Sequence, residues 1–132
     1  MATTPNFAAT PLTGLAQISV ANTNRDGTGT LGTVFTAGAN GSRIEEIVIE
    51  ATGTTTAGIV RLFLNDGTNS RLWREVAVTA ATPSGTVLAF TASVRNDTRV
   101  DLPLLVLPTG WSLRASTHLG ETFNVFAFGG SF

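Results

Sequence analysis

Apolar and polar residues alternate with a period of two along most of this chain, the spacing of β-strands that have one buried face. Residues 58–65 place valine and leucines on one face and Arg61 and Phe63 on the other. Threonine and valine are frequent, and their β-branched side chains fit a pleated surface. The predicted strands cover residues 15–21, 30–37, 43–50, 58–65, 71–79, 86–94, 100–107, 111–118 and 123–128.

Turn signals separate these strands at intervals of roughly 8–12 residues. Asp66-Gly67 between two alternating runs is a strong hairpin signal, and Pro83-Ser84-Gly85 predicts another turn. In residues 43–50 the apolar positions 44, 47 and 48 would suit a helix, but three consecutive β-branched residues favour a strand. We therefore predict an all-β fold, an antiparallel, jelly-roll-like β-sandwich of about eight strands. The pattern leaves the strand order open.

The first 13 residues differ from the rest of the chain. They contain two prolines, and Phe7 and Leu12 are their large apolar residues. We predict an extended N-terminal arm over 1–13 and a single β-sandwich domain over 14–132. The arm is either a disordered terminus or a segment that lies on a neighbouring subunit, with Phe7 and Leu12 as anchors. In the second case, deleting residues 1–13 should leave the fold intact and weaken assembly.

Composition and charge exclude several classes of function. The chain has 132 residues and a net charge of −1, so it has no field to attract nucleic acid or an anionic membrane. All eight basic residues are arginines, which suit contact surfaces, although a GC-rich genome would give the same bias. The N-terminus has no Sec-type signal pattern, and no apolar run reaches 18 residues. Cysteine is absent, which excludes disulfides and thiolate metal sites.

Residues with catalytic chemistry are sparse. His118 is the single histidine, and no serine lies in a Gly-x-Ser-x-Gly elbow. Glu45-Glu46 and Glu50 lie on one strand and not across a cleft, so we expect them to be solvated or to pair with Arg43 and Arg61. We expect no catalytic residue, no metal site and no cofactor. Trp73 and Trp111 are either core residues or a platform on which a sugar stacks.

The C-terminal segment 107–132 carries a resemblance. It contains Leu107-Pro-Thr-Gly-Trp111, then Glu121-Thr-Phe-Asn-Val125, Gly129-Gly130 and a terminal aromatic residue. This pattern resembles small virion proteins of tailed bacteriophages. The resemblance implies a capsid decoration or cement protein on the capsid exterior, made in the host cytoplasm. Such a protein binds the major capsid protein and forms a homo-oligomer, often a trimer.

The predicted last strand bears on that function. If Val125 and Ala127 face the core, Phe126 and Phe128 face outward, and exposed phenylalanines normally mark an interface. Burial of both faces within the monomer is the alternative. The candidate interface residues are Phe7, Leu12, Phe126, Phe128 and Phe132.

Two functions from different classes remain. The first is a non-enzymatic virion structural protein, which predicts a stable homo-oligomer that binds capsids. The second is a carbohydrate- or receptor-binding module of a head fibre or tail, which predicts an exposed aromatic or polar cleft, for example at Trp73 or Trp111. We do not expect this chain to be an enzyme.

Overall fold

A computed structural model describes residues 10–95 and 105–132 of the chain. These two ranges form nine strands and contain no helix. The strands are β1 (Thr10–Ile18), β2 (Gly32–Thr36), β3 (Ser42–Ala51), β4 (Gly58–Asn65), β5 (Ser70–Val78), β6 (Thr91–Arg95), β7 (Leu105–Leu107), β8 (Ser112–Thr117) and β9 (Phe123–Ser131).

The strands form two antiparallel sheets. The five-stranded sheet has the order β1-β9-β3-β6, and β7 also pairs with β3. The four-stranded sheet has the order β2-β8-β4-β5. Four strand pairs are nested within one another along the chain, as in a long hairpin that is wound into two sheets. The pair β1–β9 encloses β2–β8, which encloses β3–β6, which encloses β4–β5. This winding is that of a jelly roll, so the predicted fold class is confirmed.

The core lies between the two sheets. Ile44, Ile47 and Ile49 of β3 face Val60 and Leu62 of β4, and all five side chains are fully buried. Burying each of them stabilises the fold by about 1.5–3 kcal/mol relative to leaving it exposed. The alternation that predicted strands therefore also separates the residues of the core from those of the outer faces.

The β4–β5 hairpin forms where the sequence predicts it. Asp66 Oδ1 accepts hydrogen bonds from the backbone N–H groups of Thr68 (2.9 Å) and Asn69 (2.8 Å), which close the turn. Strand β4 has the predicted bounds, and β5 begins and ends one residue earlier than predicted.

The start of the first sheet differs from the prediction. Strand β1 begins at Thr10, which pairs with Ser131. Residues 10–13, assigned to the arm from their sequence, thus belong to the sheet, and Leu12 packs against the core. Their local composition did not favour a strand, but pairing with β9 provides the backbone hydrogen bonds. Phe7 and the rest of the predicted arm lie outside the described residues.

Strands β6 and β9 also differ from the prediction, each by three or more residues at one end. Strand β6 begins at Thr91 rather than residue 86, because Ser84 Oγ accepts hydrogen bonds from the N–H groups of Thr86 and Val87 and holds that segment in a turn. Strand β9 continues through its two glycines to Ser131, because β1 and β3 pair with it on both sides.

Candidate interaction surface

The last strand presents two faces of different character. Val125 and Ala127 point into the core and are fully buried. Phe126 and Phe128 point to the outside of the five-stranded sheet, as the alternation predicted. Phe126 is half-buried, and Phe128 is 39% exposed. No part of the described chain is stacked over this outer face as a further layer.

Phe126 lies in the middle of an apolar row across three strands. Its neighbours in the register are Leu15 of β1, which is 62% exposed, and half-buried Val48 of β3. The ring of Phe128 stacks on that of Phe126, with the centroids 6.2 Å apart and the planes 7° from parallel. We call these four residues, Leu15, Val48, Phe126 and Phe128, the Phe strip.

Polar pairs border the Phe strip on its two sides along the strand direction. On one side, the side chain of Gln17 donates a 3.0 Å hydrogen bond to Asn124 Oδ1. On the other side, Glu46, which is in register with Phe128, forms an ion pair with Arg95 of β6. An apolar centre with a polar rim is the arrangement found in protein–protein interfaces.

A shallow depression adjoins Phe128. It has a volume of about 460 Å³, and its floor is formed by Gly129 and Gly130 between Pro11 and Arg43. A side chain at position 129 cannot be accommodated, because its Cβ would lie 1.9 Å from the carbonyl oxygen of Arg43. Gly129 therefore allows the backbone of β3 to approach closely beside Phe128.

An ion pair forms the rim of this depression. Glu45 is the extra residue of a bulge in β3, and its Oε1 lies 2.6 Å from Arg43 Nε. The two charges attract each other, although the angle at Arg43 Nε does not meet that of a hydrogen bond. One of the glutamates of β3 thus pairs with Arg43, as predicted.

The structure brings together only part of the predicted interface set. Phe126 and Phe128 are adjacent and face outward. Leu12 faces the core from β1, so it is not an anchor on an arm. Phe132 is half-buried after the end of β9, where its N–H donates to Gly41 O (3.2 Å), and it is separate from the Phe strip. Phe7 lies outside the described residues.

Leu15 and Val48 belong to the surface but were not predicted. Val48 lies between two buried isoleucines, so strict alternation in β3 could have placed it on the outer face. Leu15 likewise alternates with Gly14 and Ala16, which face inward. Their position next to Phe126 depends on the register between distant strands, which no local signal provides.

The opposite side of the sandwich buries a charge. Arg61 of β4 points away from the core, yet only 1% of its side chain is exposed. The segment that follows β1 lies over it: Asn22 N donates to Thr117 O (2.8 Å), and Arg61 Nη1 donates to Asn22 O (3.4 Å). Phe63, on the same face of β4, is also fully buried and lies outside the core cluster.

One carboxylate holds this buried guanidinium. Glu75 Oε2 accepts from Arg61 Nε (2.9 Å) and from Arg25 Nε (2.8 Å). The expected pairing of Arg61 with a glutamate of β3 is wrong, because β3 and β4 lie in different sheets. The hydrogen bond from Arg25 is the largest cause of a lowered pKa of Glu75, and the one from Arg61 adds to it against the effect of desolvation. This network stabilises the loop over the four-stranded sheet.

His118 is a member of the same network. Its Nδ1 lies 3.2 Å from Arg61 Nη1, and because an arginine can only donate, the imidazole nitrogen accepts. His118 lies in the loop that follows β8 and is half-buried against Arg61.

The two tryptophans do not form an exposed platform. Trp73 and Trp111 are half-buried, and both pack against the core. The guanidinium carbon of Arg74 lies 5.0 Å from the centroid of the Trp73 ring, which covers part of that ring. A stacking site for sugars at either residue is therefore not supported by their positions.

Within residues 10–95 and 105–132, no three side chains of histidine, aspartate or glutamate converge as a metal site would require. The same ranges contain no helix that is long and apolar enough to cross a membrane. No protein-family profile, curated protein or solved structure matches the chain.

Proposed function

We propose that this chain is a non-enzymatic structural protein of a bacteriophage virion, a capsid decoration or cement protein. It forms a homo-oligomer and binds the major capsid protein on the outside of the shell. The observation that carries the proposal is the Phe strip, an uncovered apolar row in the middle of a rigid sheet. Exposed apolar surface with a polar rim is what a protein needs to bind another protein.

The C-terminal resemblance supports the same function. The residues that carry it, 107–132, form β8 and β9. Strand β9 is an inner strand of the five-stranded sheet, between β1 and β3, and supplies both aromatic residues of the Phe strip. Jelly rolls occur in viral capsid domains, which agrees with the proposal at the level of fold analogy only.

Solution mass and capsid binding test the proposal. We expect light scattering on a size-exclusion column to give an oligomer of the 13.7 kDa chain, with a trimer as the expected state. The purified protein should also co-sediment with capsids of the virus whose genome encodes it. Leu15→Asp and Phe128→Ser each change an exposed side chain of the Phe strip. Either should weaken self-association and capsid binding at least about tenfold.

Leu88→Asp is the matched control for these variants. Leu88 is 86% exposed in the segment between β5 and β6 and is not one of the four residues of the Phe strip. It should leave both mass and capsid binding unchanged. A wild-type protein that stays monomeric and does not bind capsids would refute the proposal, as would strip variants that behave like wild type.

A further inference from the structure

A polar cleft lies on the side of the molecule opposite the Phe strip. It is bounded by residues 26–31, which cross the outside of the four-stranded sheet, and by the β4–β5 turn. Its volume is about 380 Å³, within the range of small-molecule sites. Arg114 of β8 lies in the floor, because it alternates with Leu113 and Ala115, which face the core.

The walls of the cleft are fixed before any ligand binds. Asn22 is buried, and its side-chain N–H groups donate to Thr28 O and Thr30 O, both at 3.0 Å. Gly27 lies directly against Ser70, so that a Cβ at position 27 would be 2.2 Å from Ser70 O. This contact joins the loop to the hairpin, and Gly27 also has a φ of 88°, which favours glycine. A preformed site loses little conformational entropy when a ligand binds.

The cleft collects two arginines that form no ion pair with another described residue. Four arginines of the described ranges form ion pairs with glutamates: Arg25, Arg43, Arg61 and Arg95. Arg74 stacks on Trp73. The remaining two within residues 10–95 and 105–132 are Arg71 and Arg114, and both line the cleft. Neither has a carboxylate within ion-pair distance among those residues, and Arg114 Nε makes one long contact of 3.4 Å with Ser112 Oγ.

The one acidic residue that lines the cleft is already satisfied. Asp26 Oδ1 accepts from the N–H (3.0 Å) and the hydroxyl (2.5 Å) of Thr28. The residues that line the cleft carry a formal charge of +1, from two arginines and one aspartate, and the carboxylate of Asp66 in the adjoining turn also attracts Arg71. A guanidinium matches the planar geometry of a carboxylate and can donate two parallel hydrogen bonds to it.

We propose that this cleft binds an acidic sugar unit, with Arg71 and Arg114 on its carboxylate. The side chains of Thr68 and Asn69 also line the cleft, and neither makes a hydrogen bond to another described residue. They are available for the hydroxyl groups of the sugar. The lining is predominantly polar, which suits a hydroxyl-rich ring better than a peptide with apolar anchors. This site is independent of the Phe strip and of the function proposed for it.

Titrations monitored by NMR of the ¹⁵N-labelled full chain test the proposal. The probes are D-glucuronate and N-acetylneuraminate, with D-glucose as the neutral control and sulfate as an anion without a sugar ring, all at one ionic strength. We expect saturable shifts at residues 66–71 and at Arg114 with at least one acidic sugar. Glucose should give none, and sulfate should bind more weakly than the acidic sugar.

Variants assign the binding to the two guanidinium groups. Arg71→Gln and Arg114→Gln should each weaken binding of the acidic sugar at least about tenfold. Arg74→Gln, which removes an arginine outside the cleft, should leave it unchanged. The proposal is overturned if neither acidic sugar gives a saturable response, if glucose or sulfate binds as tightly, or if Arg74→Gln weakens binding as much as the cleft variants do.

Discussion

At the scale of single residues, Arg61 shows how a charge can be buried outside a core. Its Nε binds Glu75, its Nη1 reaches Asn22 O and His118 Nδ1, and a loop excludes water from it. Removing one partner from a buried ionic network is costly because the other polar groups lose their bonds. Sequence reasoning did not predict this burial, since an arginine on the polar face of a strand normally stays solvated.

We expect Arg61→Ala to destabilise the fold by about 2–4 kcal/mol, through lost packing of its stem and lost hydrogen bonds. Glu75 keeps its bond to Arg25, which limits the loss. Arg74→Ala is the control and should change stability by less than about 1 kcal/mol, because that arginine is exposed on the ring of Trp73. Urea unfolding measures both. Equal losses would show that Arg61 is no more important than an exposed arginine.

The carboxylate of the same network sets a pH dependence. The hydrogen bond from Arg25, followed by that from Arg61, lowers the pKa of Glu75 in the folded state below its ordinary value of 4.5. A lowered folded-state pKa gives stability that is present above the unfolded pKa and is lost as the pH falls through the folded value. Wild-type stability should therefore decline below pH 4.5.

The Glu75→Gln variant should lack the part of the stability loss at low pH that is due to Glu75. Thermal unfolding between neutral pH and acid measures it, and the two curves should converge as the pH falls. Asp26 and Asp66, whose pKa values are lowered mainly by hydrogen bonds within their turns, keep a residual decline in both proteins. Curves that stay parallel over the whole range would contradict the assignment to Glu75.

At the scale of elements, the sequence correctly predicted the structures that form through contacts between residues close together in the chain. The β4–β5 hairpin follows from alternation and an Asp-Gly turn, and its bounds agree with the prediction to within one residue. Strand β1 was placed too late, because its first residues become a strand only by pairing with β9, more than a hundred positions away. The Phe strip has the same origin: two of its four residues were predicted, and Leu15 and Val48 join them through register alone.

The corrected bounds of β1 change what a truncation should do. Deleting residues 1–9 keeps every described residue of β1, from Thr10 onward, and is the reference for the longer deletion. Deleting 1–13 also removes Leu12 from the core and four residues of pairing with β9, and should cost at least about 2 kcal/mol. Chemical denaturation of the two truncated proteins compares them. If the longer deletion is as stable as the shorter one, residues 10–13 do not contribute to the sheet.

At the scale of the whole molecule, the two sheets give the protein two outer faces with different chemistry. The five-stranded sheet exposes the Phe strip, and the four-stranded sheet is covered by a loop that forms one wall of the polar cleft. Apolar surface suits a permanent protein contact, whereas a small polar cleft with two guanidinium groups that form no ion pair among the described residues suits a soluble, charged ligand. A decoration protein held to a shell by the first face would present the second face to the medium.

This arrangement predicts that the two surfaces act independently. Phe128 and Arg114 lie on opposite sides of a sandwich whose sheets are about 10 Å apart, and substitutions separated by such a distance usually combine additively. Phe128→Ser should weaken association without changing the affinity for the acidic sugar, and Arg114→Gln should do the reverse. The double variant should show both losses, with a coupling below about 0.5 kcal/mol. Light scattering and the NMR titration measure the two properties on the same four proteins. A loss of sugar binding in Phe128→Ser would mean that assembly completes the cleft, and the site would then belong to the oligomer and not to the single chain.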